Sequence, residues 1–191
     1  MAAPDIEPPP VVVMGVSGCG KTTVGTRLAA ELGVRFIDGD DLHPAANVEK
    51  MASGTPLTDQ DRWPWLHDVG RTLRAHEATG LVLACSALRR AYRDAIRCEA
   101  PGTVFVHLDG GHDVIRSRMG ARSSHFMPAS LLASQLGTLE ALAEHEPGFS
   151  VDIDAPIDVI VGKALHALSE PERSTWTPGQ QPRTSASSVW R

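Results

Sequence analysis

Residues Val11–Thr23, VVVMGVSGCGKTT, decide the fold of this chain of 191 residues. The first four residues are apolar and predict a buried parallel strand, and the next eight, GVSGCGKT, have the spacing G-x-x-x-x-G-K-T. This spacing is typical of a phosphate-binding P-loop, in which glycines let successive backbone N–H groups and the start of the next helix face phosphate oxygens. Apolar residues then recur at Val24, Leu28 and Leu32 ahead of Gly33, which predicts an amphipathic helix directly after the loop.

The side chains of the P-loop indicate what it binds. Lys21 is predicted to reach the β- and γ-phosphates of a nucleotide, and the Thr22 hydroxyl to ligate Mg²⁺. The alternative is a glycine-rich turn that matches by chance, and the flanking strand and helix argue against it. Cys19 is expected to point out of the loop. The nucleotide-binding residues predicted here are Gly15, Ser17, Gly18, Cys19, Gly20, Lys21, Thr22 and Thr23.

The composition predicts one globular domain, because the chain is 42% hydrophobic and 21% charged and is long enough for one substantial core. A formal net charge of -5 argues against a nucleic-acid-binding protein held by a general basic field. An anionic ligand must therefore meet local lysines and arginines. The three cysteines have no C-x-x-C spacing, which argues against a disulfide framework or zinc site and fits a cytoplasmic setting. We expect neither a secretory leader nor a membrane helix.

Strands alternate with helices along the chain, which predicts a parallel sheet covered by helices on both faces. The expected strands are Val11–Met14, Val34–Ile37, Leu81–Cys85, Val104–Leu108 and Phe149–Ile153. Residues 55–61 are expected to form a loop, and Pro64 to lie in the first turn of the helix that follows. The predicted fold class is therefore α/β, a three-layer domain with a five-stranded parallel sheet and the P-loop at its carboxyl edge. Its expected span is residues 11–169, between a disordered leader at 1–10 and a disordered tail at 170–191.

Two acidic residues follow the second expected strand. Asp38 and Asp40 are two apart, so in an extended segment they project the same way from the edge where open parallel sheets bind ligands. Phosphoryl transfer needs a carboxylate that takes a proton from the attacking hydroxyl. Asp40 is the candidate base and Asp38 the candidate for Mg²⁺ or its water shell, with solvated acids in a turn as the alternative. ATP is favoured over GTP because the sequence has no Asn-Lys-x-Asp motif.

Basic residues cluster where loops leave the predicted sheet, and as a set they indicate an anion-binding cleft. They are Lys50, Arg62, Arg89, Arg90, Arg93, Arg118 and Arg122. Arg118 and Arg122 precede the polar break Ser123-Ser124-His125, which predicts a mobile lid at about residues 118–130 that brings arginines over the triphosphate. An ordinary surface turn is the alternative.

Histidine and tryptophan side chains are assigned from their surroundings in the sequence. His43 and His125 can bind substrate hydroxyls or cap local turns. His107 lies inside a predicted strand and is expected to be a packed structural residue. Trp63 and Trp65 are expected to pack against the core, with a wall of the acceptor pocket as the alternative.

The sequence resembles the gluconate kinases, small P-loop kinases related to shikimate and nucleoside-monophosphate kinases. The segments that carry the resemblance are MGVSGCGKTT, FIDGDDLHPAANVEKMASGTPLTDQDRWPWL, ACSALRRAYRD, HFMPASLLASQLGTLE and VDIDAP, within about residues 11–168. The resemblance implies a P-loop kinase fold, a homodimer, and ATP- and Mg²⁺-dependent phosphorylation of D-gluconate at its 6-hydroxyl. A kinase of another small hydroxy acid such as shikimate is one alternative, and an ATP-binding regulatory protein without turnover is the other.

The resemblance also assigns roles by position. Lys21, Asp40 and Arg122 are expected to act in catalysis, and Arg118 with Arg122 to serve the nucleotide and the lid. Asp154 and Pro156 are expected on the adenine side. The residues expected near gluconate are Asp40, His43, Lys50, Arg62, Ser86, Arg90 and His125.

Overall fold

The computed structural model describes residues 8–120 and 129–170, and the side chains at 118–120 and 129–131 lie outside this description. The strands in these ranges are β1 (Val11–Met14), β2 (Arg35–Asp38), β3 (Leu81–Ala84), β4 (Val104–Asp109) and β5 (Gly148–Asp152). The helices there are α1 (Lys21–Leu32), α2 (Ala45–Ala52), α3 (Asp59–Ala75), α4 (Arg90–Glu99), α5 (His112–Gly120), α6 (Ala129–Thr138) and α7 (Ile157–Ser169). Every predicted strand is confirmed to within one residue at each end.

The strands form one parallel sheet in the order β2-β3-β1-β4-β5. In the centre of the sheet, Val11 of β1 pairs with Val82 of β3 and with Val104 of β4. Because all strands run the same way, the loops that follow β1, β2 and β3 meet at one edge, where such sheets bind ligands. The predicted α/β fold class is confirmed.

Alternate strand residues bury into two hydrophobic cores, one on each face of the sheet. Val11 and Val13 of β1 belong to the core that contains residues of α1 and α7. Val12 and Met14 belong to the core that contains residues of α3 and α4. Both faces of β1 are therefore fully covered, which gives the loop that follows this strand a rigid base.

Helix α3 begins at Asp59, whereas the sequence placed Pro64 in its first turn and residues 55–61 in a loop. That prediction is wrong because a capping box starts the helix. The Asp61 N–H donates to Thr58 Oγ1 at 3.3 Å, and the Thr58 N–H donates to Asp61 Oδ2 at 2.9 Å. Pro64 therefore lies inside the helix, on an exposed face where water can satisfy the carbonyl that loses its partner.

The described chain starts inside the predicted leader of residues 1–10. Pro10 is buried, and its carbonyl accepts a hydrogen bond from the Val104 N–H at 2.9 Å. The chain therefore contacts the sheet before β1 begins. The predicted tail lies outside the described residues except for Glu170. No helix in the described part of the chain is long and apolar enough to cross a membrane.

Candidate active site

The P-loop, Gly15–Thr22, follows β1 and continues into the first turn of α1, in the predicted position. Its turn requires glycine, because φ is 83° at Gly18 and 103° at Gly20. The Lys21 ammonium folds over the loop and donates to the carbonyl oxygens of Gly15 and Val16, each at 3.1 Å. Its charge and the N-terminus of α1 thus lie together, which is an arrangement that attracts phosphate oxygens.

Cys19 does not point out of the P-loop as predicted. Its side chain is buried in the core on the α1 side of the sheet. It packs so closely under the loop that a Cβ at Gly15 would lie 2.9 Å from Cys19 Sγ. A role for Cys19 in nucleotide binding is therefore limited to its backbone.

Asp38 and Asp40 lie beside the P-loop in what we call the acidic turn, Asp38–Leu42. The predicted extended segment is wrong here, because β2 ends at Asp38 and a single 3-10 turn follows. Asp38 caps this turn by accepting the Asp40 N–H on Oδ1 at 3.2 Å. Its other oxygen, Oδ2, accepts the Thr22 hydroxyl at 2.9 Å. The acidic turn is therefore bonded directly to the P-loop.

The Asp40 carboxyl is accessible to solvent, but neighbouring protein atoms partly desolvate it. This desolvation is the main cause that raises its pKa, the Asp38 carboxylate raises it further, and Lys21 opposes both. A raised pKa makes an ionised carboxylate a stronger proton acceptor than an ordinary surface aspartate. Asp40 is therefore suited to act as a base.

The acidic turn is supported by an aromatic stack. The His43 ring stacks on Trp65, with centroids 4.0 Å apart and planes at 17°. Trp65 is buried as predicted, and its Nε1–H donates to the Gly39 carbonyl at 2.7 Å. Gly39 cannot carry a side chain here, because a Cβ would lie 2.4 Å from the Ala84 carbonyl oxygen. The hydrogen bond from Trp65 and the close approach of Gly39 to Ala84 thereby fix the position of the acidic turn against β3.

His43 is held as a neutral ring. Burial, and secondarily the charge of Arg62, lower its pKa to about 4. Asn47 Nδ2 lies 3.4 Å from His43 Nδ1, so Nδ1 accepts and the proton is assigned to Nε2. The His43 backbone N–H donates to the Asp40 carbonyl at 3.3 Å. The ring can therefore offer an N–H donor to a hydroxyl near Asp40.

Four of the predicted basic residues lie around α2, α3 and the start of α4. Lys50 Nζ donates to Asp61 Oδ1 at 2.7 Å. Arg62 and Arg89 flank the ring of Tyr92, each with its guanidinium carbon 5.7 Å from the ring centroid. Arg90 is the exposed first residue of α4. Hydrogen bonds of Lys50 to Asp61, Arg89 to Asp59 and Arg62 to Tyr92 thus place these three cations along one wall, and Arg90 follows Arg89 directly in the chain.

Arg93 is not part of the anion-binding cleft, and that prediction is wrong. Its side chain is 0% exposed, and its Nε and Nη2 donate to the two carboxylate oxygens of Glu146 at 2.6 and 2.8 Å. Its Nη1 donates to the carbonyls of Ala87 and Glu140 at 3.2 and 3.0 Å. The charge of Arg93 is therefore neutralised by Glu146 in the interior of the protein.

This ion pair supports a strained loop at the ligand edge of the sheet. Ala87 is buried and has a φ of 43°, a left-handed conformation that is uncommon outside glycine. The Ser86 carbonyl, one residue earlier, accepts the Gly15 N–H at 3.3 Å. Arg93 thus helps to hold a loop that contacts the P-loop and leads to Arg89.

A family model described as an AAA domain matches residues 11–142. The gluconokinase of Gluconobacter oxydans is 50% identical to this chain over 84% of this chain and 91% of its own length. The thermosensitive gluconokinase of Escherichia coli is 45% identical, over 82% of this chain and 86% of its own. The chain belongs to the gluconokinase family. It is a P-loop kinase, and so a phosphotransferase.

The solved structures agree with this family. The crystal structure of a gluconokinase from Sinorhizobium meliloti matches with a TM-score of 0.79 at 48% identity, over 85% of this chain and 92% of that one. The family resemblance predicted from the sequence is therefore confirmed.

Asp154 and Pro156, the residues predicted on the adenine side, follow β5, whereas the acidic turn follows β2 at the opposite side of the sheet. Asp154 and Pro156 line a groove of about 630 Å³ between the start of α7 and α5. The α5 side chains Asp113, Val114 and Ser117 form the other lining. Arg122 and His125 lie outside the described residues, as does the side chain of Arg118, so their predicted roles remain predictions.

One residue that contacts the P-loop could not be predicted from the sequence. The Ser17 N–H donates to Gln135 Oε1 of α6 at 2.7 Å. These residues are 118 positions apart, and no local pattern joins them.

His107 is buried in β4 with Nδ1 3.1 Å from Ser150 Oγ, which confirms its predicted structural packing.

Proposed function

We propose that this family member transfers the γ-phosphate of ATP to the 6-hydroxyl of D-gluconate and releases 6-phospho-D-gluconate and ADP. The observation that carries the proposal is the hydrogen bond from Thr22 to Asp38, because it joins the acidic turn to the P-loop. A hydroxyl held by Asp40 would thereby lie next to phosphates held by the loop. Positioning and charge neutralisation are what phosphoryl transfer chiefly requires.

In the proposed reaction, different groups of the chain hold the phosphates, accept the proton and bind the acceptor. Backbone N–H groups of the P-loop and the Lys21 ammonium hold the β- and γ-phosphates. Asp40 accepts the proton of the 6-hydroxyl as that oxygen attacks phosphorus, and the bond to the ADP oxygen breaks. His43 donates from Nε2 to a substrate hydroxyl. Lys50, Arg62, Ser86 and Arg90 remain in the proposed acceptor set.

The residues beside Lys21 fit Mg²⁺. Thr22 and Asp38 bring a hydroxyl and a carboxylate oxygen to within 2.9 Å of each other, and Mg²⁺ prefers such oxygen ligands. The described residues contain no group of three or more His, Cys, Asp or Glu side chains arranged for a metal. That suits an ion held by one or two protein oxygens together with phosphates. When bound, Mg²⁺ would neutralise charge on the phosphates.

Other parts of the proposal rest on the family resemblance. They are a homodimer, a cytoplasmic location, a lid that carries Arg118 and Arg122, a contact of His125 with the acceptor, and adenine binding beside Asp154 and Pro156. In the family assignment, Arg122 is the lid residue expected to stabilise charge on the transferred group.

ADP release over a panel of acceptors tests the proposed reaction. We expect turnover with D-gluconate, and phosphorus NMR of the product should locate the phosphate on the 6-oxygen. Turnover with shikimate or a nucleoside monophosphate but not with gluconate would replace this proposal by another kinase activity. ATP binding without turnover on any acceptor would favour a regulatory protein.

The pH dependence should identify the base. Asp40 must be ionised to accept a proton and its pKa is raised, so kcat/KM for gluconate should fall as pH decreases through a value above that of an ordinary aspartate. His43 has a pKa of about 4 and is already neutral at higher pH. We therefore expect His43→Asn to lower activity without moving this acid limb. Ionisations of the substrate affect the wild type and His43→Asn equally and cancel in the comparison. If His43→Asn loses the fall in kcat/KM at low pH, that fall belongs to the histidine and not to Asp40.

A further inference from the structure

The carboxylate of a sugar acid needs a cationic site away from the acidic turn. This step rests on the proposed function, in which Asp40 holds the hydroxyl at the far end of a six-carbon chain. Asp38, Asp40 and Asp41 would repel a second carboxylate placed beside them. The wall that carries Lys50, Arg62, Arg89 and Arg90 is therefore where the charged end of the acceptor should bind.

Two members of that wall, Arg62 and Arg89, share one carboxylate, and we call them the arginine pair. Arg89 Nη1 donates to Asp59 Oδ2 at 2.8 Å, and Arg62 Nη1 lies 3.6 Å from Asp59 Oδ1. The Tyr92 hydroxyl donates to the same Oδ1 at 2.6 Å. Two guanidinium groups against one carboxylate leave a net positive charge at this point.

Tyr92 sets the spacing of the arginine pair. Both guanidinium carbons lie 5.7 Å from the centroid of its ring, and Arg62 Nη1 also donates to the Tyr92 hydroxyl at 3.4 Å. Trp63 packs its ring against Tyr92 at 78°, with centroids 5.6 Å apart. The arginine side chains remain 29% and 41% exposed. Each guanidinium carries five N–H donors, so donors remain for a ligand.

Each of the other two cations of this wall lies beside a different carboxylate in the described part of the chain. Lys50 has its own carboxylate in Asp61 at 2.7 Å. Arg90 Nε lies 3.7 Å from Asp94 on the surface of α4. Arg62 also lies on the acceptor side of the cleft. The carbonyl of its neighbour Asp61 accepts a hydrogen bond from Asn47 Nδ2 at 2.8 Å, and the same Nδ2 lies 3.4 Å from His43 Nδ1.

We propose that Arg62 and Arg89 together bind the carboxylate of the sugar acid, and that Asp59 and Tyr92 are positioning residues that aim the two guanidinium groups. Arg89 thereby joins Arg62 as a determinant of selectivity for an acid over a neutral polyol. Guanidinium groups suit this task because their planar N–H groups match the two oxygens of a carboxylate.

Calorimetry with the full chain and a nonhydrolysable ATP analogue tests the proposal, with D-gluconate and neutral D-gluconamide as probes. We expect the wild type to bind gluconate more tightly than gluconamide. Arg89→Ala should weaken gluconate binding about 10- to 100-fold, as for loss of a charge-assisted contact, and reduce the preference for gluconate over gluconamide by a similar factor. Arg71→Ala is the matched control, because Arg71 pairs with Asp68 on an exposed part of α3.

Tyr92→Phe separates positioning from structure, since the ring stays and only the hydroxyl is lost. It should raise KM for gluconate several-fold with kcat little changed, and leave the affinity for the ATP analogue unchanged. Equal losses of gluconate and gluconamide binding in Arg89→Ala would overturn the proposal, as would unchanged gluconate binding. If gluconamide binding is too weak to measure, the loss of gluconate affinity relative to Arg71→Ala decides. Failure of the wild type to use gluconate would instead refute the proposed function.

Discussion

Asp40→Asn is expected to lower kcat for gluconate by at least about 10²-fold, as for loss of a general base. The amide keeps the shape of the side chain but cannot take the proton of the attacking hydroxyl. The P-loop is left intact, so the affinity for an ATP analogue should change little. Steady-state kinetics and direct nucleotide binding measure the two effects separately.

The neighbouring acid gives a matched control for this substitution. Asp41 lies in the same acidic turn and is exposed. Asp41→Asn removes the same charge from the turn and should leave kcat within a few-fold of the wild type. A comparable loss in both variants would assign the effect to the charge of the turn. A kcat in Asp40→Asn close to that of the wild type would remove Asp40 as the base.

Glu146→Gln is expected to lower the free energy of unfolding by about 3–5 kcal/mol, because it leaves the buried charge of Arg93 uncompensated. The two side chains are 1% and 0% exposed, so water cannot replace the lost carboxylate. Urea denaturation followed by circular dichroism measures the change. Glu144→Gln, an exposed substitution two residues away, should change stability by no more than about 0.5 kcal/mol.

The pH dependence of unfolding checks the same ion pair. Burial raises the pKa of Glu146 most, but hydrogen bonds from Arg93 and the Ala143 N–H, with the charge of Arg93, lower it overall. Its stabilisation is therefore fully present above the glutamate pKa of the unfolded chain and is lost as pH falls through the lower folded value. In Glu146→Gln, the free energy of unfolding should no longer show this loss as pH falls. An unchanged stability at neutral pH would show that the pair contributes little.

Much of the fold could be predicted because its signals are local. The spacing of the P-loop and the apolar runs of five strands need only neighbouring residues, and both are confirmed. The start of α3 was missed although a local signal was present: Thr58 and Asp61 have the T-x-x-D spacing of a capping box. The capping box, and not Pro64, decides where the helix begins.

The site was predicted less completely, because residue type alone does not say which partner a charge has. Arg89, Arg90 and Arg93 are consecutive or nearly so, yet the first pairs with Asp59 and the last is buried against Glu146. Asp59 and Tyr92 are 33 positions apart, so their contact depends on how α3 packs against α4. No periodicity in the sequence carries that information.

The sequence by itself determined that this chain builds a nucleotide-binding P-loop on a parallel α/β sheet, because short-range spacing and hydrophobic pattern specify strand, loop and helix. The tertiary structure alone decided that the acidic turn bonds to Thr22, that Gln135 contacts Ser17, and which arginines remain available to a ligand. The physical reason is that hydrogen bonds and ion pairs act over a few ångströms in space, between residues that chain packing brings together from distant positions.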